Sequence, residues 1–170
     1  RQFRAGRPFS FTTPNMLIRR DAFQSVGGFD DAYRHYGFEI EICLYDYRKQ
    51  VRGSLIPLGP SFYSDTRISL TSVVSKMREA GRTTSGIFRA RHPSVYRSLG
   101  YSRIDVNSHP ALKLIGKVNA EWLAYRFDPW LDRLPFALAV SIVRTITALA
   151  YLGGTAEAFA SARGDRVRHT

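Results

Sequence analysis

Apolar residues recur along this chain at helical spacing in several segments and cluster into a few short runs elsewhere. The clearest stripe extends from Leu70 to Arg91, where apolar or small residues return every three or four positions and basic residues occupy the opposite side. Weaker helical patterns cover about Glu39 to Gln50 and about Asp21 to Val26. Short apolar runs at Met16 to Ile18 and Ser54 to Leu58 favour strands. The pattern therefore predicts several helices with a few short strands between them.

The most hydrophobic stretch, Leu134 to Leu152, is about as long as a bilayer-spanning helix. Arg144 lies in its middle, and an Arg at the centre of a bilayer costs about 2.5–3.5 kcal/mol on insertion scales. We therefore expect a helix that packs in a bundle or lies on a membrane surface rather than one that crosses the membrane. Gly153-Gly154 is predicted to end this helix, and the Arg-rich tail from Ala162 is predicted to be disordered.

The charge of the chain indicates an anionic partner. With 25 Lys and Arg against 14 Asp and Glu, the 170 residues carry a formal net charge of +11, which favours nucleotide phosphate, anionic lipid or nucleic acid. The basic residues are spread over all segments and form no known nucleic-acid-binding motif, so no nucleic-acid partner is expected. The single cysteine, Cys43, excludes an intramolecular disulfide, and a structural zinc site is not expected.

A glycine pair follows the first predicted helix. Asp21 is suited to cap the N-terminus of that helix. Gly27-Gly28 is suited to end it, because glycine adopts left-handed backbone conformations at little cost. Phe29 is predicted to anchor the turn, with Asp30 after it at the surface. Taken by itself, the segment predicts a strand, a short helix and a turn, without a function.

The residues from 15 to 39 keep a distinctive order: Asn15, the apolar run at 16–18, Arg19-Arg20, Val-Gly-Gly-Phe-Asp at 26–30 and Tyr-Gly-Phe-Glu at 36–39. In order and spacing this stretch resembles the second half of a family 2 glycosyltransferase of the GT-A fold. The resemblance implies an α/β fold, with residues 1–93 forming the acceptor-side half of a GT-A (Rossmann-like) catalytic domain. A linker over 94–109 and a helical, membrane-associated region over 110–170 are expected to follow. Because the Asp-x-Asp triplet of the first half does not occur here, a C-terminal fragment of the enzyme is expected.

The resemblance also implies an activity. It implies an inverting glycosyltransferase at the cytoplasmic side of the membrane, with a nucleotide-sugar donor, a glycan or lipid-linked acceptor and no obligate protein partner. A divalent cation, Mg²⁺ or Mn²⁺, would be bound mainly by the half of the domain that precedes this chain. Asp65 stands near the position where relatives carry a metal-binding His, and its carboxylate suits a hard cation. Asp65 is equally suited to cap the next helix or to pair with Arg67.

The position of the general base departs from the family pattern. Relatives carry Glu-Asp near this point, whereas this chain has Gly-Phe-Glu-Ile-Glu at 37–41, without the Asp. Glu39 is the first candidate for the base and Glu41 the second. Successive helix positions point about 100° apart, so the two carboxylates cannot both face one acceptor. A Glu at a helix N-terminus is also stabilised by the helix dipole without any catalytic role. The residues implied to contact donor or acceptor are Asn15, Gly28, Asp30, Tyr36, Gly37 and Arg82.

Other classes of protein remain open at this point. The loss of the Asp also admits a degenerate, non-catalytic member of the family. A basic module that binds membranes or nucleic acid would account for the net charge, and a membrane-associated helical scaffold would account for the apolar stretch from Leu134. The scaffold does not explain the Val-Gly-Gly-Phe-Asp corner at 26–30, so glycosyl transfer is the leading hypothesis.

Overall fold

The computed structural model describes residues 20–25, 27–29, 31–33, 69–98 and 100–168. The chain divides into two units, residues 1–34 with 38–67 and residues 35–37 with 68–170. In the first unit, the described elements are helix α1 (Arg20–Ser25) and a 3₁₀ turn at Asp31–Tyr33. The short helix predicted over about 21–26 is thereby confirmed, although Asp21 lies in its first turn and is not its N-cap.

The described part of the second unit consists of helices and 3₁₀ turns. The α-helices are α2 (Leu70–Arg82), α3 (Thr84–Arg91), α4 (Pro93–Ser98), α5 (Ala120–Phe127) and α6 (Phe136–Arg168). The 3₁₀ segments are Tyr101–Ile104, Pro110–Lys113, Ile115–Lys117 and Asp128–Arg133.

The predicted α/β fold is wrong for the part of the chain that the structure describes. Those residues are 84% helical and contain no strand, which does not fit a Rossmann-like GT-A domain. The physical reason is that the second unit buries its apolar residues by packing helices directly on helices, so its core needs no sheet. The predicted strands at 16–18 and 54–58, and the helix predicted over 39–50, lie outside the described residues.

The long helix predicted from Leu70 to Arg91 is two helices that meet at Thr83. The side chain of Ser69 caps α2 by accepting a hydrogen bond from the Ser72 amide at 3.2 Å. At the junction, the hydroxyl of Thr83 donates to the Glu79 carbonyl at 2.7 Å, and Thr84 and Ser85 bond in the same way to the carbonyls four residues earlier. Such bonds bend helices. The predicted apolar stripe is confirmed, since its members Leu70, Val74, Gly81, Thr84 and Phe88 are buried.

The polar segment after His92, which the sequence favours as a loop, is packed against the helices. It contains α4 and the 3₁₀ turn at Tyr101–Ile104, joined at Gly100, whose φ of 81° is a conformation that favours glycine. Asp105 and Val106 then turn inward and are fully buried. Tyr101 lies against Tyr151 of α6, with ring centroids 5.1 Å apart. This segment therefore contributes to the core of the second unit.

Helix α6 continues through Gly153 and Gly154, so the break predicted there is wrong. Gly154 instead allows close packing against α2. A Cβ atom on Gly154 would overlap the backbone of Arg78 in α2, and one on Gly81 would overlap the backbone of Tyr151 in α6. The helix extends to Arg168, over most of the tail that the sequence predicted to be disordered. The main core cluster lies between α2, α5 and α6 and consists of Leu70, Val74, Ala120, Ala124, Ile146 and Ala150.

The crossing of α2 and α6 predicts a large effect for a single methyl group. Gly154→Ala should destabilise the protein by about 1–3 kcal/mol, the usual cost of overpacking, because the neighbouring atoms belong to backbone and cannot rotate away. The matched control is Gly86→Ala in α3, where a Cβ would meet nothing within 4 Å. That control should be neutral or stabilising by up to about 1 kcal/mol through helix propensity. Chemical denaturation of both variants measures the difference, and equal stabilities would contradict the close crossing.

Candidate functional site

Two of the site residues implied by the family resemblance fall in the described part of the chain, namely Gly28 and Arg82. The others lie outside it, so their assignments stay predictions. These are Asn15, Asp30, Tyr36, Gly37, Glu39, Glu41 and Asp65. Among the described residues, no group of three or more His, Cys, Asp or Glu side chains is placed to bind a metal ion.

Gly28 has a structural task in the turn that ends α1. Its amide donates to the Phe23 carbonyl at 3.0 Å, and the Gly27 amide donates to the Gln24 carbonyl at 3.0 Å, the two hydrogen bonds of a Schellman cap. Gly27 and Gly28 have φ angles of 83° and 74°. A Cβ on Gly28 would also press on the ring of Phe23 at 3.3 Å. The ring of Phe29 stands edge-on to that of Phe23, with centroids 5.0 Å apart, and fixes the turn.

Arg82 is the last residue of α2, and its side chain is exposed. Its implied contact with donor or acceptor stays a prediction. Arg78, one turn earlier, has a clear structural role instead. Its guanidinium donates to Glu121 of α5 and to Glu157 of α6, each at 2.5 Å. The hydrogen bond with Glu121 is the main cause of the raised pKa of Arg78. This arginine therefore ties three helices together.

A buried polar network joins the segment after α4 to the middle of α6. Asp105 is fully buried and accepts hydrogen bonds from Arg89 at 2.8 Å, from the Tyr96 hydroxyl at 2.9 Å and from the amide of Asn107 at 2.8 Å. The hydroxyls of Tyr96 and Tyr151 lie 2.7 Å apart. Since the Tyr96 proton goes to Asp105, Tyr151 is the donor in this pair. Burial raises the pKa of both tyrosines far above the usual range for a phenol.

The surface of the second unit exposes an unusual number of large apolar side chains between residues 114 and 138. The most exposed are Phe136, Tyr125, Leu114 and Trp122, with 84%, 77%, 75% and 60% of their surface accessible. We call the exposed residues of α5, of the following 3₁₀ turn and of the start of α6 the aromatic surface. Its members are Trp122, Tyr125, Phe127, Trp130, Phe136 and Leu138. Clustered exposed apolar groups of this kind mark sites of binding to a partner or a membrane.

Arginine side chains lie among these aromatic residues. Arg126 and Arg133 are exposed, and the guanidinium carbon of Arg133 lies 5.5 Å from the centre of the Trp130 ring, a cation–π contact. Arg144, in the first half of α6, is exposed as well. Tryptophan and tyrosine beside arginine is the composition found where proteins meet the headgroup region of a bilayer.

An apolar groove opens between α5 and α6. It has a volume of about 320 Å³ and is lined by Leu123, Phe127, Ser141, Ile142, Thr145, Ile146 and Leu149. The hydroxyls of its two polar residues are turned back to their own helix. Ser141 donates to the Ala137 carbonyl and Thr145 donates to the Ser141 carbonyl, each at 2.8 Å. The groove therefore presents a mainly apolar surface to any ligand.

One helix segment among the described residues, Phe136–Ala162, is long and apolar enough to cross a membrane. This agrees in part with the membrane association predicted from the sequence.

Comparisons of the chain with models of protein families, with curated proteins and with solved structures gave no match.

The aromatic surface was not among the sites inferred from the sequence. The signal that marks it is the run Trp-Leu-Ala-Tyr-Arg-Phe-Asp-Pro-Trp at 122–130. Its four aromatic residues are too many for the one face of a short helix that packs on a core.

The tyrosine pair predicts a specific loss of stability. Tyr151→Phe removes the hydroxyl that donates to Tyr96 inside the core and should cost about 1 kcal/mol, the net worth of one hydrogen bond. Tyr125→Phe is the matched control, because the Tyr125 side chain is largely exposed and should contribute nothing measurable. Denaturation at neutral pH compares the two variants, and equal stabilities would contradict the buried bond.

The same tyrosines set a dependence on alkaline pH. In the unfolded chain they ionise near their ordinary pKa of about 10, whereas in the folded chain they stay neutral to higher pH. The unfolded state therefore loses protons first, and stability should fall as pH rises above about 10. Tyr151→Phe should make this fall less steep.

Proposed function

We propose that this chain takes part in inverting glycosyl transfer from a nucleotide-sugar at the cytoplasmic face of a membrane. In this proposal, residues 69–170 attach the protein to the membrane surface. The observation that carries the attachment is the aromatic surface with its interspersed arginines. The transfer activity is supported by the family resemblance of residues 15–39 and is a proposal about chemistry, not about a GT-A fold.

Attachment at the surface is supported by the position of the exposed side chains. Trp122 and Tyr125 project from α5 on the side away from the core residues Ala120 and Ala124. Their rings have an apolar body and a polar edge, which suits the boundary between headgroups and acyl chains. The net charge of +11 adds attraction to anionic lipid. Arg126 and Arg133 place part of this charge among the exposed aromatic residues, so hydrophobic insertion and electrostatic attraction act together there.

Helix α6 is not expected to cross the membrane, because its second half packs against the other helices of the second unit. Residues 150–155 of α6 are buried against the rest of the unit, and Glu157 is ion-paired with Arg78 of α2. Moving all of α6 into hydrocarbon would carry α2 along, with its basic and acidic side chains, at about 2.5–3.5 kcal/mol for each charged residue. The exposed first half, Phe136–Thr145, is about 15 Å long, which is about half of the hydrocarbon thickness. That half can enter the membrane while the second half stays in the unit.

Vesicle flotation tests the attachment. The protein should bind vesicles that contain phosphatidylglycerol and should be released as salt rises, because the attraction is partly electrostatic. Arg126→Gln with Arg133→Gln should weaken binding about 30-fold, since each charge near an anionic surface contributes about 1 kcal/mol.

The matched control removes the same charge elsewhere. Arg97 and Arg103 are exposed on α4 and on the 3₁₀ turn that packs beside the second half of α6. Their replacement by Gln should reduce binding much less than loss of Arg126 and Arg133. Equal losses in the two double variants would show that net charge, and not the aromatic surface, determines binding.

Glycosyl transfer is supported by the resemblance of residues 15–39 to the family pattern, which includes apolar, basic, glycine and acidic positions. The turn after α1, in which both glycines have positive φ, gives the Gly27-Gly28 part of the matched sequence a defined backbone. A defined backbone is what a catalytic segment needs if the residues after it are to be held in place. In the proposed mechanism Glu39 removes the proton from the acceptor hydroxyl as the nucleotide diphosphate departs. A divalent cation, Mg²⁺ or Mn²⁺, would stabilise the charge on the leaving group.

Replacement of Glu39 tests the proposed activity. In the protein as it occurs in membranes, Glu39→Gln should lower the turnover of a nucleotide-sugar by about 10²-fold or more, because the amide cannot accept the proton. Glu41→Gln is the matched comparison and should be nearly as active as the unchanged protein. If Glu41→Gln is the inactive variant, the base is Glu41. Unchanged turnover in both variants would remove this site from the mechanism.

A further inference from the structure

The groove between α5 and α6 lies within the part of the molecule that is proposed to meet the membrane. Leu123 and Phe127, two of its lining residues, belong to α5, the helix that also carries the exposed Trp122 and Tyr125. Its other wall is the part of α6 from Ser141 to Leu149, which follows the exposed residues at the start of that helix. A volume of about 320 Å³ falls at the lower end of ligand sites, which span roughly 300–1,000 Å³.

The chemistry of the lining selects an apolar occupant. Five of the seven lining residues are hydrocarbon or aromatic, and the hydroxyls of Ser141 and Thr145 are already committed to carbonyls of α6. A polar ligand that entered the groove would lose its hydrogen bonds to water and find few replacements there. An alkyl chain has no such bonds to lose, and its burial is favourable in proportion to its area.

Two arginines near the groove favour an occupant with an anionic head group. Arg126 lies between Leu123 and Phe127 in α5, and Arg144 lies next to Thr145 in α6, so each wall carries an arginine within one helical turn of two lining residues. Both arginines are exposed, and within the described part of the chain neither forms an ion pair. Guanidinium groups bind phosphate oxygens in a paired geometry.

We infer that the groove between α5 and α6 holds one acyl chain of an anionic lipid, with the lipid phosphate beside Arg126 and Arg144. This inference rests on the proposed membrane attachment and adds a specific lipid site to it. Attachment through the aromatic surface alone needs no such site, so the two are tested separately.

A fluorescent fatty acid, cis-parinaric acid, serves as the probe in solutions of the full chain without vesicles and below its micelle concentration. The unchanged protein should bind it saturably at one site. Ser141→Phe should weaken that binding about tenfold or more, because the new ring fills the space of the chain. Ala137→Phe is the matched control, since it adds the same ring to an exposed position of α6 that does not line the groove. Thr145→Phe provides a second filling variant, and circular dichroism checks that all three variants fold.

Competition experiments test the head group. Dodecyl phosphate should displace the probe better than dodecanol, and Arg144→Gln should reduce this preference about fivefold, as expected for one charge near an anionic group. Vesicle flotation of the same proteins distinguishes the failure of this inference from that of the attachment. If flotation is normal but the probe does not bind, or if Ser141→Phe binds it as well as Ala137→Phe does, the lipid site is refuted while the attachment stands. If Ser141→Phe instead converts a dimer to a monomer in light scattering and the probe does not bind, the groove is an interface between two copies, and the inference is overturned.

Discussion

The close crossing of α2 and α6 is the constraint on which the second unit depends. Each helix contributes a glycine, Gly81 and Gly154, at which the backbone of the other helix occupies the space of a side chain. Helices that approach so closely bring their flanking side chains into direct contact. Arg78, in α2 at the crossing, therefore reaches Glu121 and Glu157 at once. One small-residue contact thus fixes the register of three helices.

The same crossing gives the two halves of α6 opposite environments. The second half is buried against the rest of the unit, where Tyr151 enters the hydrogen-bonded network with Tyr96 and Asp105. The first half packs on the core through Ile142 and Val143 but exposes Phe136 and Leu138. By length and composition alone, both halves belong to one segment that is able to cross a membrane, Phe136–Ala162. Packing separates them, and the exposed half, with α5, becomes the surface that is proposed to meet lipid.

The sequence predicted the elements better than it predicted their assembly. The hydrophobicity of the stretch from Leu134 located the start of α6. Periodicity located α1 and α2, because a helix that buries one face must repeat its apolar residues about every 3.6 positions. It did not find the break at Thr83, where three successive hydroxyls compete for backbone carbonyls. It also placed a helix end at Gly153-Gly154, since glycine ends helices in isolation and a partner backbone at the same glycines is not visible from one segment. The expected α/β fold followed from a family resemblance that rests on residues 15–39, and it was extended wrongly to the helices after residue 69.

The candidate site shows the same limit. Of the residues that the resemblance implied, Gly28 has a role that local rules predict, because a helix cap at positive φ requires glycine. Arg82, which the resemblance implied, is exposed at the end of α2, whereas Arg78 one turn earlier makes the ion pairs. The aromatic surface went unrecognised because exposure depends on which helix faces are covered, and apolar residues in a helical pattern are more often buried.

In the proposed attachment, the first half of α6 enters the lipid without crossing it, so both ends of the helix stay on the same side of the membrane. Labelling by a membrane-impermeant maleimide in sealed vesicles tests it, with Cys43 replaced by Ser and a single new cysteine at Ser108 or at Ala160, both exposed positions. The account predicts that Ser108→Cys and Ala160→Cys are labelled from the same side of the vesicle. Labelling of the two positions from opposite sides would show that α6 crosses the bilayer and would contradict the account.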